Sequence, residues 1–396
     1  MRKELGLVIS HLQEGGAQRV ASTLSFGLAE HYDLSLILHD GQKVCYPYRG
    51  QVVDMKTPAT GNPFLRLFNF LVRIVRLKRF KDRYNPRAVI SFMEGANFIN
   101  LLTGRTSKVI ISVRNYKSRQ TSGFIGWLFA VLIKLLYGRS DLIVAASEGI
   151  KADLADNFSL PLDKIKVIYN PCDLEYIAKK SQETLDPQEQ AFFEQGETLV
   201  TVGSLTRQKG QWHLVRVLAE VRKSRPGVKL VILGEGELRS SLSDLIACLK
   251  LIDAVKLAGF VDNPFKYMSS AALFVLPSLY EGFPNVLVEA MACETAVVAS
   301  DCPSGPREIL APKTDFRKVT GDAEYAEYGI LVPSCSGVFA GPDEPLSREE
   351  EIMAGVIIRV LDERTLKEQY IELGKRRVQT FAREGIVGRW VEVIEG

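Results

Sequence analysis

Short apolar runs, spaced by longer segments with helical patterning, constrain this chain more than any other feature. In the first half they fall at residues 5–10, 34–38, 88–91, 109–113, 142–145 and 166–168. In the second half they fall at 199–202, 229–233, 255–258, 273–276, 296–299 and 330–332. Each is rich in Val, Ile and Leu, and most are bounded by Gly or Pro, the pattern of strands buried on both faces. Strands alternating with helices predict two doubly wound parallel sheets, an α/β chain with a Rossmann-like domain in each half. The predicted domains are 1–175 and 196–378, joined by a polar linker at 174–196 that carries Asp186-Pro187. Ligands of such sheets bind at the carboxyl ends of the strands, so the active site is expected in a cleft where the two sheets face each other.

The length supports this division, since 396 residues with 46% hydrophobic content can bury two cores. The cysteines at 45, 172, 248, 293, 302 and 335 show no Cys-x-x-Cys and no Cys/His spacing, so neither a disulfide framework nor a zinc site is expected. The chain opens on a strand rather than a secretory h-region, and no segment reaches the roughly 20 apolar residues of a membrane span. A cytoplasmic location is expected.

Charge is divided unevenly. Residues 1–170 hold 24 Lys and Arg against 13 Asp and Glu, a surplus of 11, whereas 171–396 hold 26 against 34, a deficit of 8. A basic half implies an anionic partner. The cations concentrate at Arg66, Arg73, Arg76, Lys78, Arg79, Lys81 and Arg83, among Leu67, Phe70, Leu71, Ile74 and Leu77 at helical spacing. Such a helix suits the headgroup region of an anionic membrane, or the diphosphate of a lipid-linked acceptor, and equally a core helix with a solvated basic face. Nucleic acid is not expected, because no recognition motif accompanies the charge. A second stretch, 123–137, is apolar except for Lys134 and reads as a core helix or as one lying in the membrane plane.

The chemistry is written in residues 278–289, Ser-Leu-Tyr-Glu-Gly-Phe-Pro-Asn-Val-Leu-Val-Glu. A buried strand leads into this loop, and Pro284 suits the first turn of a helix. The N–H groups of Asn285, Val286 and Leu287 would then point from a positive helix end, a site for phosphate. Glu289, one turn further in, can bind the two hydroxyls of a ribose, and Glu281 on the loop can hold hydroxyls of a second sugar. Together these describe a sugar nucleotide; a helix cap and a solvated surface charge are the plainer alternative.

This stretch resembles the Glu, seven residues, Glu signature of retaining glycosyltransferases of the GT-B fold, family 4. Gly15-Gly16-Ala17-Gln18-Arg19, Asn170-Pro171-Cys172-Asp173, the 203–210 stretch, Val231 to Glu237, Gly259-Phe260-Val261 and Ser304 to Ile309 follow in that family's order. The resemblance covers nearly the whole chain. It is most similar in its motifs to bacterial α-N-acetylgalactosaminyltransferases acting on undecaprenyl-diphosphate-linked glycans, from which 311–326 and 334–350 differ as insertions.

The resemblance implies a retaining, metal-independent hexosyltransferase. It would move a sugar, an N-acetylhexosamine or a hexose, from a UDP-sugar to a lipid-linked or envelope glycan in α linkage. Glu281, Lys209 and Arg207 are the expected catalytic residues, with Lys209 and Arg207 neutralising the leaving diphosphate. Donor contacts are expected from Gly15, Gly16, Ser204, Gly234, Glu235, Phe260, Val261, Gly282, Phe283, Asn285, Val286, Leu287 and Glu289, with Ser304, Gly305 and Glu308 beyond the sugar. Arg73, Arg76, Arg79 and Arg114 are assigned to acceptor or membrane. Two positions depart from the pattern: Ser204 stands where many relatives have Arg, and Arg114 lies where several carry a histidine. No metal or other cofactor is expected, since no Asp-x-Asp pair occurs. The implied partners are the UDP-sugar, a polyprenyl-diphosphate-linked or other envelope glycan and an anionic membrane surface, with the protein peripheral at the inner face of the cell membrane. Residues 379–396 are expected to pack as a helix back on the N-terminal domain. The alternatives are a transferase for a soluble acceptor, a non-catalytic membrane-bound sugar-nucleotide binder, and an epimerase of UDP-sugars, which the scarcity of histidine disfavours.

Overall fold

A computed structural model describes residues 2–13, 15–42, 44–104, 106–119 and 123–396, the side chains of 123–125 excepted. Phe124 and Ile125 of the apolar stretch at 123–137 therefore lie outside the described side chains. The chain divides into two units, Met1–Cys172 with Phe381–Gly396, and Asp173–Thr380.

The first unit runs β1 (Glu4–Ile9), α1 (Gly16–His31), β2 (Asp33–Leu38), β3 (Gln51–Asp54), α2 (Pro63–Tyr84), β4 (Ala88–Phe92), α3 (Glu94–Leu102), β5 (Lys108–Val113), α4 (Gly123–Leu136), β6 (Leu142–Ala145), α5 (Glu148–Phe158) and β7 (Ile165–Val167). The second runs α6 (Leu174–Ser181), α7 (Pro187–Glu194), β8 (Thr198–Val202), α8 (Gln211–Ser224), β9 (Lys229–Leu233), α9 (Arg239–Cys248), β10 (Val255–Gly259), α10 (Phe265–Ser269), β11 (Leu273–Leu276), α11 (Asn285–Ala292), β12 (Val297–Ser300), α12 (Pro306–Leu310), β13 (Glu324–Tyr325), β14 (Ile330–Val332), α13 (Arg348–Asp362) and α14 (Arg364–Val378). A last helix, α15 (Arg383–Glu395), belongs to the first unit.

Each unit holds a seven-stranded sheet, β3-β2-β1-β4-β5-β6-β7 and β10-β9-β8-β11-β12-β14-β13. All pairs are parallel except β13 with β14. Neither β3 nor β13 is foreseen in the sequence, because Gln51–Asp54 is half-exposed and Glu324–Tyr325 is a two-residue edge without an apolar run. The polar stretch at 174–196 is not an open linker. It forms α6 and α7, capped by the side chains of Asp173 and Asp186, with Ile177 and Leu185 buried in the second unit.

The pleat decides which helix each strand residue meets. In the first unit Leu5, Leu7 and Ile9 pack with α1 and α15, while Val8, Ile37 and Val89 pack with α2 and α3. Trp390 is fully buried on α15. Where α1 crosses α15, a Cβ added at Gly27 would stand 2.4 Å from Val387 Cγ2, so the helices approach at a position that admits no side chain.

Helix α2 is apolar on two sides. Phe70, Ile74, Leu77 and Phe80 face the core, while Phe64, Phe68, Leu71 and Val75, at spacings of four, three and four, are exposed, Phe64 at 83%. Arg73 is half-buried and donates to Thr57 O at 2.6 Å and Thr57 Oγ1 at 2.9 Å, while Arg76 is exposed and donates to Met55 O. Arg66, Lys78, Arg79 and Arg83 are exposed as well. On α4, Ile133 is buried but Trp127, Leu128, Phe129 and Leu135 are exposed, so this segment is not the enclosed core helix its composition suggests. The two helices flank α3, whose Ile99 packs in the α2 cluster and whose Phe98 ring lies 6.1 Å from that of Phe129.

Gly27→Val is expected to destabilise the first unit by about 1–3 kcal/mol through overpacking, and a second change, Val387→Ala, should recover most of the loss. Urea denaturation of the single and double variants checks this. No recovery would mean that the α1–α15 crossing does not limit stability.

Candidate active site

Every turn after β8, β9, β10, β11 and β12 leaves the second sheet at its carboxyl edge, and backbone pairs join most of them. Gly203 N donates to Leu233 O at 2.9 Å, Leu205 N to Glu235 O at 2.9 Å, and Gly234 N to Gly259 O at 2.8 Å. Gly234 sits at φ 138°, and a Cβ there would stand 2.1 Å from Gly203 O, so only glycine lets these two loops touch. Gly210, at φ 61°, brings the start of α8 against Pro277 O in the same way.

That approach carries Lys209 to Glu281. Lys209 Nζ lies 2.6 Å from Glu281 Oε1, and Ser278 Oγ donates to the same oxygen at 2.7 Å. The Glu281 side chain is 6% exposed and that of Lys209 19%, so the pair is sheltered yet open at the lysine end. Backbone bonds fix its register: Leu279 N donates to Gln208 O at 2.8 Å, Gln208 Nε2 to Tyr280 O at 2.9 Å, and Glu281 N to Pro303 O at 3.2 Å. Ser304 Oγ donates to Gly282 O at 2.7 Å, tying the loop after β12 to the same turn. Beneath them the Cys302 thiol is pushed well above its ordinary pKa, by burial first and by the Glu281 charge second, and is held as an inert packing group.

Helix α11 starts as its sequence predicts, with Pro284 at its N-cap. Of the three N–H groups expected to point from this helix end, that of Leu287 is taken by Pro284 O at 3.0 Å. Glu289 is buried, not a solvated charge. Ser204 and Phe260 are exposed at the rim, Val261 is half-exposed, and Gly282 and Phe283 are buried in the turn. Glu235 is turned outward to Arg239 at 2.6 Å. Glu308 is buried on α12 and its carbonyl is held by Arg377 Nη2 at 2.7 Å.

Arg207 is exposed but its Nε donates to Gly337 O at 3.2 Å, so its side chain anchors the segment after β14 as well as standing beside Lys209. That segment, one of the two insertions, is tied down further along α8. Trp212 Nε1 donates to Val338 O at 3.2 Å, and Arg216 donates to Glu344 O at 3.1 Å and to Pro345 O at 2.8 Å. Arg216 also meets the buried Glu350 at 3.0 Å, where His213 Nδ1 lies 2.7 Å from the same carboxylate. Burial would raise the Glu350 pKa, but the hydrogen bonds from His213, Arg216 and the Ser347 N–H prevail and hold it below the ordinary carboxylate value.

Ser278 and Gln208 lie inside the quoted stretches without a role assigned to them, and Glu350 is legible only as the end of the capping box that Ser347 begins. Arg216 carries no signal, since its pair with Glu350 spans 134 positions. Gln211 is also missed; its Nε2 donates to Ser204 O at 3.1 Å and steadies the loop before Lys209.

In the first unit Gly15, at φ 129°, is the N-cap of α1, which starts at Gly16 directly after the turn from β1. Arg114 follows β5 and is buried at the same carboxyl edge. Arg73, Arg76 and Arg79 lie on α2.

Two doubly wound sheets, each with its loops at the carboxyl edge, are the architecture of the GT-B fold. Residues 14–176 match the model of Glycosyltransferase Family 4 and residues 182–325 that of Glycosyl transferases group 1. The chain belongs to glycosyltransferase family 4. It is 30% identical over 387 residues, 96% of either chain, to the N-acetylgalactosamine-N,N'-diacetylbacillosaminyl-diphospho-undecaprenol 4-alpha-N-acetylgalactosaminyltransferase of Campylobacter jejuni. It is 32% identical to an uncharacterized glycosyltransferase of Methanocaldococcus jannaschii over 85% of this chain and 86% of that one. Among solved structures, Anabaena HepE in complex with UDP and glucose matches at a TM-score of 0.78, with 16% identity over all of both chains. Sucrose-phosphate synthase of Thermosynechococcus elongatus matches at 0.77, with 19% identity over 100% of this chain and 98% of that one.

Glu350→Ala would leave the Arg216 guanidinium buried without its counter-charge, and a loss of about 3–5 kcal/mol is expected at pH 7. Because the folded-state pKa of Glu350 is depressed, its contribution is present above the unfolded value of about 4.3 and fades as pH falls through the folded one. The gap between wild type and variant in urea denaturation should therefore close below about pH 4. A gap independent of pH would contradict the assignment.

Proposed function

We propose that this enzyme transfers an N-acetylhexosamine or hexose from a UDP-sugar to a lipid-linked or cell-envelope glycan, with retention and in α linkage. The observation that carries the reading is the sheltered Lys209–Glu281 pair at the carboxyl edge of the second sheet, with Glu289 buried on the helix that follows. Lys209 stabilises the charge that develops on the leaving diphosphate, and the N–H groups at the start of α11 act with it as donors already in place. Glu289 accepts from the ribose hydroxyls and Glu281 from those of the transferred sugar. This set of cations and helix dipole does the work without a metal. Arg207 contributes at long range, since its Nε is engaged by Gly337.

Support for the donor comes from the HepE complex with UDP and glucose. Support for the acceptor comes from the Campylobacter jejuni relative, whose name specifies a diphospho-undecaprenol substrate. No helix among the described residues is long and apolar enough to cross a membrane. The exposed stripe Phe64, Phe68, Leu71 and Val75, with Arg66, Lys78, Arg79 and Arg83 exposed on the same helix, fits an anionic bilayer surface at the inner face of the cell membrane.

A screen of UDP-N-acetylgalactosamine, UDP-N-acetylglucosamine, UDP-galactose, UDP-glucose and GDP-mannose against membrane lipid extract tests the reading. Label from one UDP-sugar should enter the organic phase and vanish in Glu281→Ala. Label from GDP-mannose alone, or none with any donor, would refute it. In flotation with anionic vesicles the wild type should rise with the lipid and a Phe64→Asp, Phe68→Asp variant should stay behind; equal behaviour would remove the membrane from the proposal.

A further inference from the structure

Arg114 is the first residue after β5, and it is 7% exposed. Its guanidinium lies against two rings, with Cζ 5.4 Å from the Phe92 centroid and 5.7 Å from that of Trp390. Nη1 donates to Asn170 Oδ1. Nε and Nη2 are buried with no acceptor, and so is Nε1 of Trp390. Among the described residues no carboxylate pairs with this cation, and burial lowers its pKa to about 9, which leaves it charged at neutral pH.

A buried charge without a counter-charge is strongly disfavoured, and two ring faces with one amide oxygen return only part of the desolvation cost. The unpaired groups are also of one kind, all N–H donors. Nε and Nη2 form the side edge of the guanidinium, the fork that grips carboxylate or phosphate with two parallel hydrogen bonds. Water can accept such bonds but brings no charge. Chain-internal packing uses the two faces and the Nη1 end and leaves the fork.

We propose that the Nε–Nη2 fork of Arg114 is an oxyanion site in the first unit that takes a phosphoryl group. Because the nitrogens are covered, the anion reaches them through local side-chain movement. The diphosphate of a lipid-linked acceptor and free inorganic diphosphate share this chemistry; the first source rests on the acceptor reading above.

The test is titration of the full chain with inorganic diphosphate and with farnesyl diphosphate, at ionic strength matched with chloride, in a Lys209→Gln background that weakens the second unit's own diphosphate contacts. Binding of either ligand should persist there and fall by about tenfold or more when Arg114→Met is added, since a charged fork is lost. Arg114→Lys, which keeps the charge but not the fork, should also bind weakly. Arg114→Met should not lower the melting temperature of the unliganded protein, because it replaces an uncompensated charge with an apolar side chain of similar length. Farnesyl diphosphate binding more tightly than inorganic diphosphate assigns the site to a lipid acceptor; equal affinity assigns it to the phosphoryl group alone. Diphosphate binding indifferent to Arg114, or a lower melting temperature in Arg114→Met without any diphosphate effect, would show that the residue only clamps α15. UDP binding to Arg114→Met is the control: its loss there would count against a site in the first unit, and its absence from the wild type would count against the donor reading alone.

Discussion

Parallel pairing cannot be closed by a tight turn, so each strand of these sheets must be followed by a crossover before the next. The functional loops consequently leave each sheet at the same edge, and this places Lys209, Glu235, Phe260 and Glu281, which are far apart in sequence, on neighbouring turns. The Lys209–Glu281 pair depends on that constraint twice. Gly210 must let α8 start against Pro277, and Gly234 must let its turn meet that of Gly203 backbone to backbone. A side chain at either position would push the turns apart before the charges could meet.

The sheets were legible because strands buried on both faces are written as continuous apolar runs, as in Lys229–Leu233 and Leu273–Leu276. Edge strands lack that signal, which is why Gln51–Asp54 and Glu324–Tyr325 escape notice. The stretch at 174–196 misleads for a related reason: polar helices capped by Asp173 and Asp186 read as linker when only Ile177 and Leu185 report their buried side. At the site, the motif around Glu281 announces itself, but its supports do not. Ser278 acts through one hydrogen bond to a carboxylate oxygen and Gln211 through bonds to the Gly203 and Ser204 carbonyls, and no spacing rule marks them. On α2 the cations were visible and their direction was not, because helical spacing gives the face of a residue but not the carbonyl its long side chain will find, as Arg73 and Arg76 show.

The buried arginines Arg216 and Arg114 are handled differently. In the second unit Arg216 and Glu350 neutralise each other and share their remaining valences with His213 and with the carbonyls of Glu344 and Pro345, so the insertion after β14 is drawn onto the helix that begins beside Lys209. Asp301, Arg307 and Glu324 do the same for the insertion after α12, and Arg307 adjoins Glu308. Both additions are thus fastened by ion pairs to elements that bear site residues, rather than left as surface loops. In the first unit Arg114 has aromatic faces and one amide oxygen but no counter-charge among the described residues. A closed network stabilises a fold, whereas an open one invites a ligand.

The Lys209–Glu281 turn is proposed to hold the diphosphate of a nucleotide, and calorimetric titration of the wild type and of Lys209→Gln with UDP decides whether it does. The expected result is binding by the wild type and a loss of about tenfold or more in the variant, the worth of one charged hydrogen bond. Equal UDP affinity in the two proteins would contradict it.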